Sequence, residues 1–351
     1  MIKNNLSWDT FSIPDIFDEI QRGKRFKKSD HVAGKVPYIS STALNNGVDS
    51  FVTQIHKNRV FKDCISLANS GSVGKAFYEP FTFVASDHIT HLKKSGMSKY
   101  GYLYLTTSLE KQKSNFNFNR EINDKRIERL KIVLPTDASG NPAYDHMEEY
   151  TSTQEKTLLD RYKSFALKNL EETIFSDIPP LEEKKWGHFL IDSLFIVNRP
   201  RYRTHHSYQD GEIPFIASGA RNNGVVRYCD PKKDEKLDSG NCITVSPVDG
   251  SSFYQPVDFL GRGGGGSSMI ILRNRRLNKY NGIFIAGAVQ KACSQYMYGR
   301  MGNSNSIKRK QILLPIDDSQ QPDYAYIEQY VKNKMCEKYK KYLDYLESQN
   351  R

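Results

Sequence analysis

The chain contains two copies of one sequence, and this duplication restricts its possible folds more than any other feature. Residues 36–48 read VPYISSTALNNGV and residues 213–225 read IPFIASGARNNGV, with eight of the last twelve positions identical. Further along, LPTDASGNPAYDHMEEY at 134–150 returns as LPIDDSQQPDYAYIEQY at 314–330, with eight of seventeen positions identical. A match of this quality at two places indicates a tandem repeat.

Two further pairs of segments match in the same order. The only two tryptophans begin WDTF at 8–11 and WGHF at 186–189, and AFYEP at 76–80 returns as SFYQP at 252–256. Because the order and separation of the matches are nearly constant, the 351-residue chain consists of two copies of a unit of roughly 175 residues. Small insertions in loops account for the slight drift.

The repeated Asn-Asn-Gly segment has a structural interpretation. Asn and Gly tolerate positive φ, so the segment predicts a turn that follows a buried strand. Its duplication indicates that the halves share an ancestor, and does not by itself indicate a ligand contact.

Each copy has a strand-rich zone followed by a helical zone. CISLANSGSVGKAFY and NCITVSPVDGSSFY each predict a strand, a turn and a second strand. Residues 144–175 contain no Gly or Pro, and residues 324–350 carry apolar residues every three or four positions. That spacing predicts a long, charged helix with one apolar stripe, as in a coiled coil.

The predicted fold class is α+β, with two similar mixed α/β domains alternating with two long helices. Each apolar stripe needs a partner, and the nearest equivalent surface is the other helix. We therefore expect the helices to pair as an antiparallel coiled coil with an approximate two-fold axis. The predicted boundaries are 1–143 and 179–323 for the domains, and 144–178 and 324–351 for the helices.

Cysteines, apolar runs and the N-terminus indicate the compartment. The five cysteines show no Cys-x-x-Cys pair, which is typical of reduced thiols. GIFIAGAV at 282–289 is too short to cross a bilayer, and the first residues lack the apolar core of a secretion signal. These features predict a cytoplasmic protein with no membrane partner.

The charge indicates a polyanionic partner. Net charge is +11 and the pI is about 9.2. RGKRFKK at 22–28 has five bases in seven positions, and RPRYR lies in the same region of the second copy, at 199–203. With a one-residue gap, RFK at 25–27 aligns with RYR at 201–203.

Arg and Lys can contact phosphates, Arg can bind guanine, and an aromatic ring can pack on sugar or base. The alternative is that both clusters are solvated surface. The candidate DNA-contact residues are Arg22, Lys24, Arg25, Lys27, Lys28, Lys75, Arg199, Arg201, Tyr202, Arg203 and Arg221.

No catalytic or cofactor set is present in the sequence. NSGSVGK at 69–75 lacks the P-loop spacing and is predicted to be a hairpin tip, and GRGGGGSS at 261–268 lacks the dinucleotide-binding pattern. His88 and His91, on a predicted strand, would point to opposite faces and are not expected to bind a metal. Methyltransferase and nuclease motifs are also missing, so we predict that the chain is not an enzyme.

Taken in order, the repeated Trp-x-x-Phe, GKVPYIS or GEIPFIAS, and LP-x-D segments resemble the specificity subunits of multisubunit restriction-modification systems. The resemblance covers nearly the whole chain. It implies two target recognition domains, each reading one half of a bipartite double-stranded DNA target. The helices would set the gap between the half-sites and dock the partner.

The same resemblance assigns catalysis to that partner, either methyltransferase subunits or fused restriction-methylation subunits. S-adenosylmethionine and magnesium would therefore bind the partner, and no cofactor is expected in this chain. The short length and the LP-x-D segments look more like type IIB systems than type I.

Two other classes of protein stay open at this point. A self-contained nuclease or methyltransferase would bind S-adenosylmethionine without help. A stand-alone DNA- or RNA-binding regulator would bind its target tightly without any partner.

Overall fold

A computed structural model describes residues 7–54, 58–116 and 120–349. The chain forms two compact units, one ending at Tyr162 and the other beginning at Lys163. Each unit contains one copy of the repeat, and the division falls inside the first long helix.

Both units contain a four-stranded antiparallel sheet with the same strand order. The order in the first unit is Glu19–Arg22, Ile89–Lys93, Cys64–Ala68, Ala76–Glu79. The order in the second unit is Ile196–Asn198, Ile270–Arg273, Cys242–Val245, Ser252–Gln255. In both sheets, the last two strands pair as an antiparallel hairpin, which confirms the hairpin predicted from the sequence.

A second, mixed sheet also recurs. Its order is Val48–Val52, Ala33–Ile39, Phe83–Ala85, Val60–Phe61 in the first unit and Val225–Cys229, Asp210–Ile216, Leu260–Gly261 in the second. The repeated Pro-aromatic-Ile segment forms its longest strand, which pairs antiparallel with the strand after Asn-Asn-Gly. The same strand pairs in parallel with the short strand on its other side.

The first and last strands of each repeat pair with each other. Trp8–Ser12 lies antiparallel to Lys131–Pro135, with Trp8 opposite Pro135. Trp186–Leu190 lies antiparallel to Gln311–Pro315 in the identical register. The Trp-x-x-Phe and Leu-Pro segments therefore match between repeats because they form one two-stranded ribbon, which closes each domain.

The helices also correspond between the repeats. The α-helices are Ile13–Ile16, Lys99–Glu110, Asp124–Arg129, Tyr144–Glu172, Ile191–Leu194, Lys279–Cys293, Ser304–Lys308 and Tyr324–Gln349. Short 3-10 turns occur at Lys28–Asp30, Asn45–Gly47, Lys111–Asn115, Leu181–Glu183, His205–Ser207 and Asn222–Gly224.

The main core of each unit lies between the four-stranded sheet, the ribbon and one amphipathic helix. Ser98 caps the helix in the first unit by accepting from the Gly101 N–H, and Asn278 caps its counterpart. From these helices, Leu105 and Ile285 are fully buried in the two cores.

The Asp of the repeated LP-x-D segment turns the chain from the ribbon into the long helix. The Asp137 carboxylate accepts from the backbone N–H groups of Ser139 and Asn141, at 2.8 and 2.9 Å. Asp317 makes the same two bonds in the second unit. A side chain that bonds its own following backbone stabilises a turn, which explains the repetition of Asp.

Each long helix begins by packing on its own domain in the same way. The rings of Tyr104 and Tyr150 meet edge to face with centroids 6.0 Å apart, and those of Phe284 and Tyr330 do so at 5.9 Å. Glu328 of the second helix also accepts from the amide of Asn278, at 2.6 Å. The direction in which each helix leaves its domain is therefore set by that domain.

Within the second unit, the end of the first long helix and the chain that follows run antiparallel to the second long helix. The rings of Phe165 and Tyr339 lie 6.0 Å apart, Cys336 Sγ lies 3.6 Å from the Thr173 carbonyl oxygen, and the Asn333 amide bonds Ser176. The predicted antiparallel pairing is confirmed for this segment.

The first helix ends at Glu172, before the end that the absence of Gly and Pro suggested. The amide of Asn333 donates to the Ser176 carbonyl oxygen at 2.7 Å and accepts from the Ser176 N–H at 3.2 Å. Gln329 also donates to the Ile174 carbonyl oxygen at 2.9 Å. These bonds from the second helix satisfy backbone groups that an extended first helix would have used.

A buried carboxyl in the first four-stranded sheet is replaced by an amide at the matching position of the second. Glu79 is fully buried, its Oε1 accepts from Ser66 Oγ at 2.8 Å, and its Oε2 has no hydrogen-bond partner among the described residues. Gln255 stands at the matching position and donates to the Asn223 carbonyl oxygen and to Thr244 Oγ1. Burial raises the pKa of the Glu79 carboxyl to about 7.

Replacing Glu79 by Gln should therefore stabilise the protein only at higher pH. An ordinary Glu pKa in the unfolded chain is about 4.3, so folding raises the pKa of Glu79. The contribution of the neutral Glu79 carboxyl to stability is complete below the unfolded-state pKa of about 4.3. It is lost as pH rises from there through the folded-state pKa of about 7. Thermal unfolding should show equal midpoints for wild type and Glu79→Gln at about pH 4, below both pKa values, and a higher midpoint for the variant at pH 8.5.

The matched control is Gln255→Glu, which adds a buried carboxyl to the other repeat and should become more destabilising as pH rises. A difference between wild type and Glu79→Gln that does not change with pH would contradict this account.

Candidate nucleic-acid interface

The Asn-Asn-Gly segments form a backbone turn in both units, as predicted. Asn45, Asn46 and Gly47 have φ values of 49°, 51° and 80°, and residues 222–224 repeat this conformation. The turn is closed by a bond from the Gly47 N–H to the Leu44 carbonyl oxygen, at 2.9 Å. Three successive residues in the left-handed region explain the choice of Asn and Gly.

The first basic segment, residues 22–28, is anchored by its one aromatic residue. Phe26 is buried against Tyr38, Val52 and Val84, and its ring centroid lies 4.4 Å from that of His31. With Phe26 directed into the core, the flanking bases are held at the surface.

Four of the five bases in this segment are exposed, namely Lys24, Arg25, Lys27 and Lys28. Arg22 is only half-exposed, because its guanidinium donates to the Asp87 carbonyl oxygen and lies 3.9 Å from the Asp124 carboxylate. Four exposed bases within five positions give a cationic surface of the kind that contacts a phosphate backbone.

The second basic segment, residues 199–203, is built differently, and the prediction for Arg203 was wrong. Arg203 is 3% exposed, and its guanidinium donates to Glu235 at 2.7 Å and to Asp238 at 2.6 Å. It also donates to the Lys236 carbonyl oxygen at 2.6 Å. A buried arginine with these partners holds the 235–238 loop and is not available to a phosphate.

The sequence alignment of RFK with RYR was also wrong. Tyr202 is 77% exposed, whereas the aromatic that packs with Phe215, Cys229 and Leu260 is Tyr208. Tyr208 directly follows the 3-10 turn His205–Ser207, as His31 directly follows Lys28–Asp30, so Tyr208 corresponds to His31 and the position of Phe26 is taken by Arg203. Tyr202 pairs with Gly263 through a β-bridge, and its ring leaves no room for a Cβ on Gly264.

Arg199 and Arg201 are exposed on either side of the buried Pro200. Arg199 donates from Nε to Ser304 Oγ at 2.9 Å, which places it beside the glycine-rich loop and the helix Ser304–Lys308. Arg199, Arg201 and Tyr202 therefore form the exposed part of the second basic segment.

The two remaining candidates differ in availability. Arg221 is exposed beside the second Asn-Asn-Gly turn. Lys75 Nζ lies 3.0 Å from the Glu110 carboxylate, so the lysine ties the hairpin to the helix Lys99–Glu110. This ion pair favours a structural role for Lys75.

A turn at residues 296–302, YMYGRMG, was missed by the sequence analysis. It exposes Met297, Tyr298 and Met301 next to a cleft lined by Arg300, Arg309 and Lys310. Large apolar residues around a glycine, with bases on both sides, were the available signal in the sequence.

Among the described residues, no three His, Cys, Asp or Glu side chains are grouped so as to hold a metal ion. Within the same part of the chain, no helix has the length and apolar character needed to cross a membrane.

Comparison with sequence families gives two consecutive matches. The type I restriction modification DNA specificity domain matches residues 5–163 and again residues 183–342. Each match corresponds to one repeat, including its ribbon and most of its long helix.

Individual relatives agree with this result. The chain is 28% identical over 337 residues to the type II restriction enzyme BgcI specificity subunit S.BcgI of Heyndrickxia coagulans, covering 94% of this chain and 95% of that protein. The crystal structure of the S subunit of a type I restriction-modification system from M. genitalium matches with a TM-score of 0.52 and 15% identity. That match covers 99% of this chain and 94% of the other, and it shows the same fold.

Removing the four exposed bases of the first segment should reduce the salt dependence of DNA binding. Each phosphate contact lowers log affinity by about 0.9 per unit of log salt concentration, so Lys24, Arg25, Lys27 and Lys28, all changed to Ala, should flatten the slope. Binding is measured by fluorescence anisotropy across a salt series.

The matched control changes Lys111, Lys125, Arg129 and Lys131, which are also exposed bases of the first unit. An equal slope for both quadruple variants would show that the first basic segment does not contact phosphates.

Proposed function

The chain belongs to the type I restriction modification DNA specificity family, and we propose that each of its repeats reads one half of a bipartite target in double-stranded DNA. It is the DNA-recognition subunit of a restriction-modification system and is not itself an enzyme. The observation that carries the proposal is the duplication of a complete, self-closed domain within one chain.

The differences between the repeats support two different half-sites. The sheets, the ribbon and the Asn-Asn-Gly turn recur, whereas the exposed side chains around the basic segments do not. A common frame with different surface residues is suited to reading two unlike sequences. Base edges must be contacted by side chains that differ, while phosphate contacts can be shared.

We propose that DNA contacts are made by the exposed members of the two basic segments and by the residue beside the second turn. These are Arg22, Lys24, Arg25, Lys27, Lys28, Arg199, Arg201, Tyr202 and Arg221.

The long helices are suited to setting the distance between half-sites. Their 29 and 26 residues correspond to roughly 43 and 39 Å at about 1.5 Å per residue. One turn of DNA extends over about 34 to 36 Å. Helices of this length therefore suit half-sites that lie about one turn apart.

Catalysis is assigned to partner subunits that carry methyltransferase and nuclease activity, and S-adenosylmethionine and magnesium are proposed to bind there. The likeness to a type II specificity subunit favours a partner that combines both activities in one chain, as in type IIB systems. A complex that acts on DNA in this way is expected in the cytoplasm.

The test is to reconstitute the chain with the catalytic subunit of its own system and to map methylated adenines across a genome. The expected result is methylation at one bipartite sequence with a fixed gap. The chain alone should neither cut nor methylate DNA. Turnover by the purified chain would favour the self-contained enzyme, and tight, specific binding without the partner would favour the regulator.

Lengthening both helices should change the gap and leave the half-sites unchanged. Four residues inserted after Thr157, with four more after Leu346, add roughly 6 Å and leave the Phe165–Tyr339 pair in place. At about 3.4 Å per base pair, the preferred gap should increase by one or two base pairs. The same genome-wide map of methylated adenines measures the gap.

The control places four residues after Gly96, in an exposed loop where no atom lies within 4 Å of an added Cβ. This insertion should leave both gap and half-sites unchanged. An active complex with longer helices and the original gap would rule out the helices as the spacer.

A further inference from the structure

The turn at residues 296–302 exposes an unusual concentration of apolar side chains. Tyr298 is 87% exposed, Met297 62% and Met301 42%. Exposed apolar groups that lie together commonly mark a binding surface. The proposed DNA contacts of the second unit do not include this turn.

The base of the turn is fixed although its tip is exposed. The Arg300 N–H donates to the Met297 carbonyl oxygen at 2.7 Å, which closes the tip. At the base, Tyr296 is buried and its hydroxyl donates to Ser306 Oγ at 3.0 Å, while the Gly302 N–H donates to the Pro247 carbonyl oxygen at 2.7 Å.

Close packing restrains the same region further. A Cβ on Gly302 would stand 2.8 Å from the ring of Tyr296, so the chain passes against the ring where a larger residue would not fit. Asn303 then caps the helix Ser304–Lys308 by accepting from the Ser306 N–H. A tip held in this way loses little conformational freedom when it binds.

A cationic cleft lies beside the tip. Arg300, Arg309 and Lys310 line it together with Gln295, Tyr296, Met301, Asn303 and Ser306, and no carboxylate is among these lining residues. Three bases without an acid form a site for the phosphates of a nucleic acid backbone.

The cleft is continuous with the second basic segment. Arg199 donates to Ser304 Oγ at 2.9 Å, on the helix that follows the turn. Met301 Cε lies 3.7 Å from the place where a Cβ on Gly266 would stand, so the turn also touches the glycine-rich loop. Exposed bases, an exposed ring and the apolar tip therefore lie on one surface of the second unit.

We propose that Tyr298 and Met297 insert as an apolar wedge between neighbouring base pairs of the second half-site. Arg300, Arg309 and Lys310 hold the adjoining phosphates. Proteins that insert apolar side chains at a base step unstack it and bend the duplex, and the sequence-dependent cost of that deformation contributes to specificity. This inference rests on the proposed function, because it requires the second unit to bind DNA.

Charge decides between DNA and a protein as the occupant. A protein surface would have to present several acids to the cleft and an apolar pocket to the tip. A DNA duplex presents regularly spaced phosphates next to stacked bases, which matches three bases beside an aromatic and a methionine.

The test compares Tyr298→Ala with Tyr298→Phe in the reconstituted complex. The probe is the duplex identified by methylation mapping, with 2-aminopurine replacing in turn each adenine in or next to the second half-site except the methylated one, because a methyltransferase flips its target base out of the stack. Wild type and Tyr298→Phe should increase the fluorescence at one step, because unstacked 2-aminopurine is bright. Tyr298→Ala should lose that increase and bind about 10-fold more weakly, as expected for the loss of one base-stacking ring.

Tyr345→Ala is the matched control, since Tyr345 is 56% exposed and lies on the second long helix. It should behave as wild type in the fluorescence assay. Arg309→Ala tests the cleft separately and should lower the salt slope by about 0.9. Thermal unfolding of each variant shows that it is folded.

Wild-type affinity and fluorescence in Tyr298→Ala would overturn the wedge and leave the proposed function intact. Failure of the wild-type complex to bind the mapped duplex would overturn both. Unstacking that persists in Tyr298→Ala but disappears in a variant of the first basic segment would assign the deformation to the other domain and reject the wedge.

Discussion

The contacts that cover part of the apolar stripe of the second long helix organise the chain beyond the sheets of its two domains. In the second unit, the end of the first helix and residues 173–180 cover part of the second helix. Phe165 packs on Tyr339, and Asn333 bonds both backbone groups of Ser176. These contacts fix where the first helix ends and where the second repeat begins. The start of each helix is fixed separately by its own domain, through the ring pairs Tyr104–Tyr150 and Phe284–Tyr330.

The two repeats act as an internal comparison of one fold with two surfaces. Buried features that recur, such as the matching aromatics Tyr38 and Phe215, hold the frame in place. Exposed features that differ between the repeats, such as Tyr202 and the 296–302 turn, are suited to the proposed reading of two different DNA sequences. Glu79 and Gln255 show that even the buried frame has diverged, at a position that supports the Asn-Asn-Gly turn in the second unit.

Local patterns in the sequence predicted the hairpins and both long helices, because each of these elements depends on neighbouring residues. Matching segments predicted the repeat, and the repeat together with these elements predicted the α+β class. Long-range contacts were not accessible in the same way. Arg203 looked like a surface base until Glu235 and Asp238, more than thirty residues away, were found around it. The anchoring role of Tyr208 and the exposure of Tyr202 likewise depend on packing across the sheet. The exposed tip at Tyr298 depends on its buried neighbour Tyr296, and no hydrophobic periodicity in the sequence predicts such a turn.

The ribbon that closes each repeat places the entry and exit of the domain side by side. Trp8 lies opposite Pro135, and Trp186 lies opposite Pro315. Everything between these paired ends can therefore be replaced by another domain with the same ribbon without moving the helix that follows. Genetic recombination at the ribbon codons would exchange one domain at a time and, under the proposed function, one half of the target with it. A chain of this design can acquire new specificities by exchanging whole cassettes, while the subunits that dock on it remain unchanged.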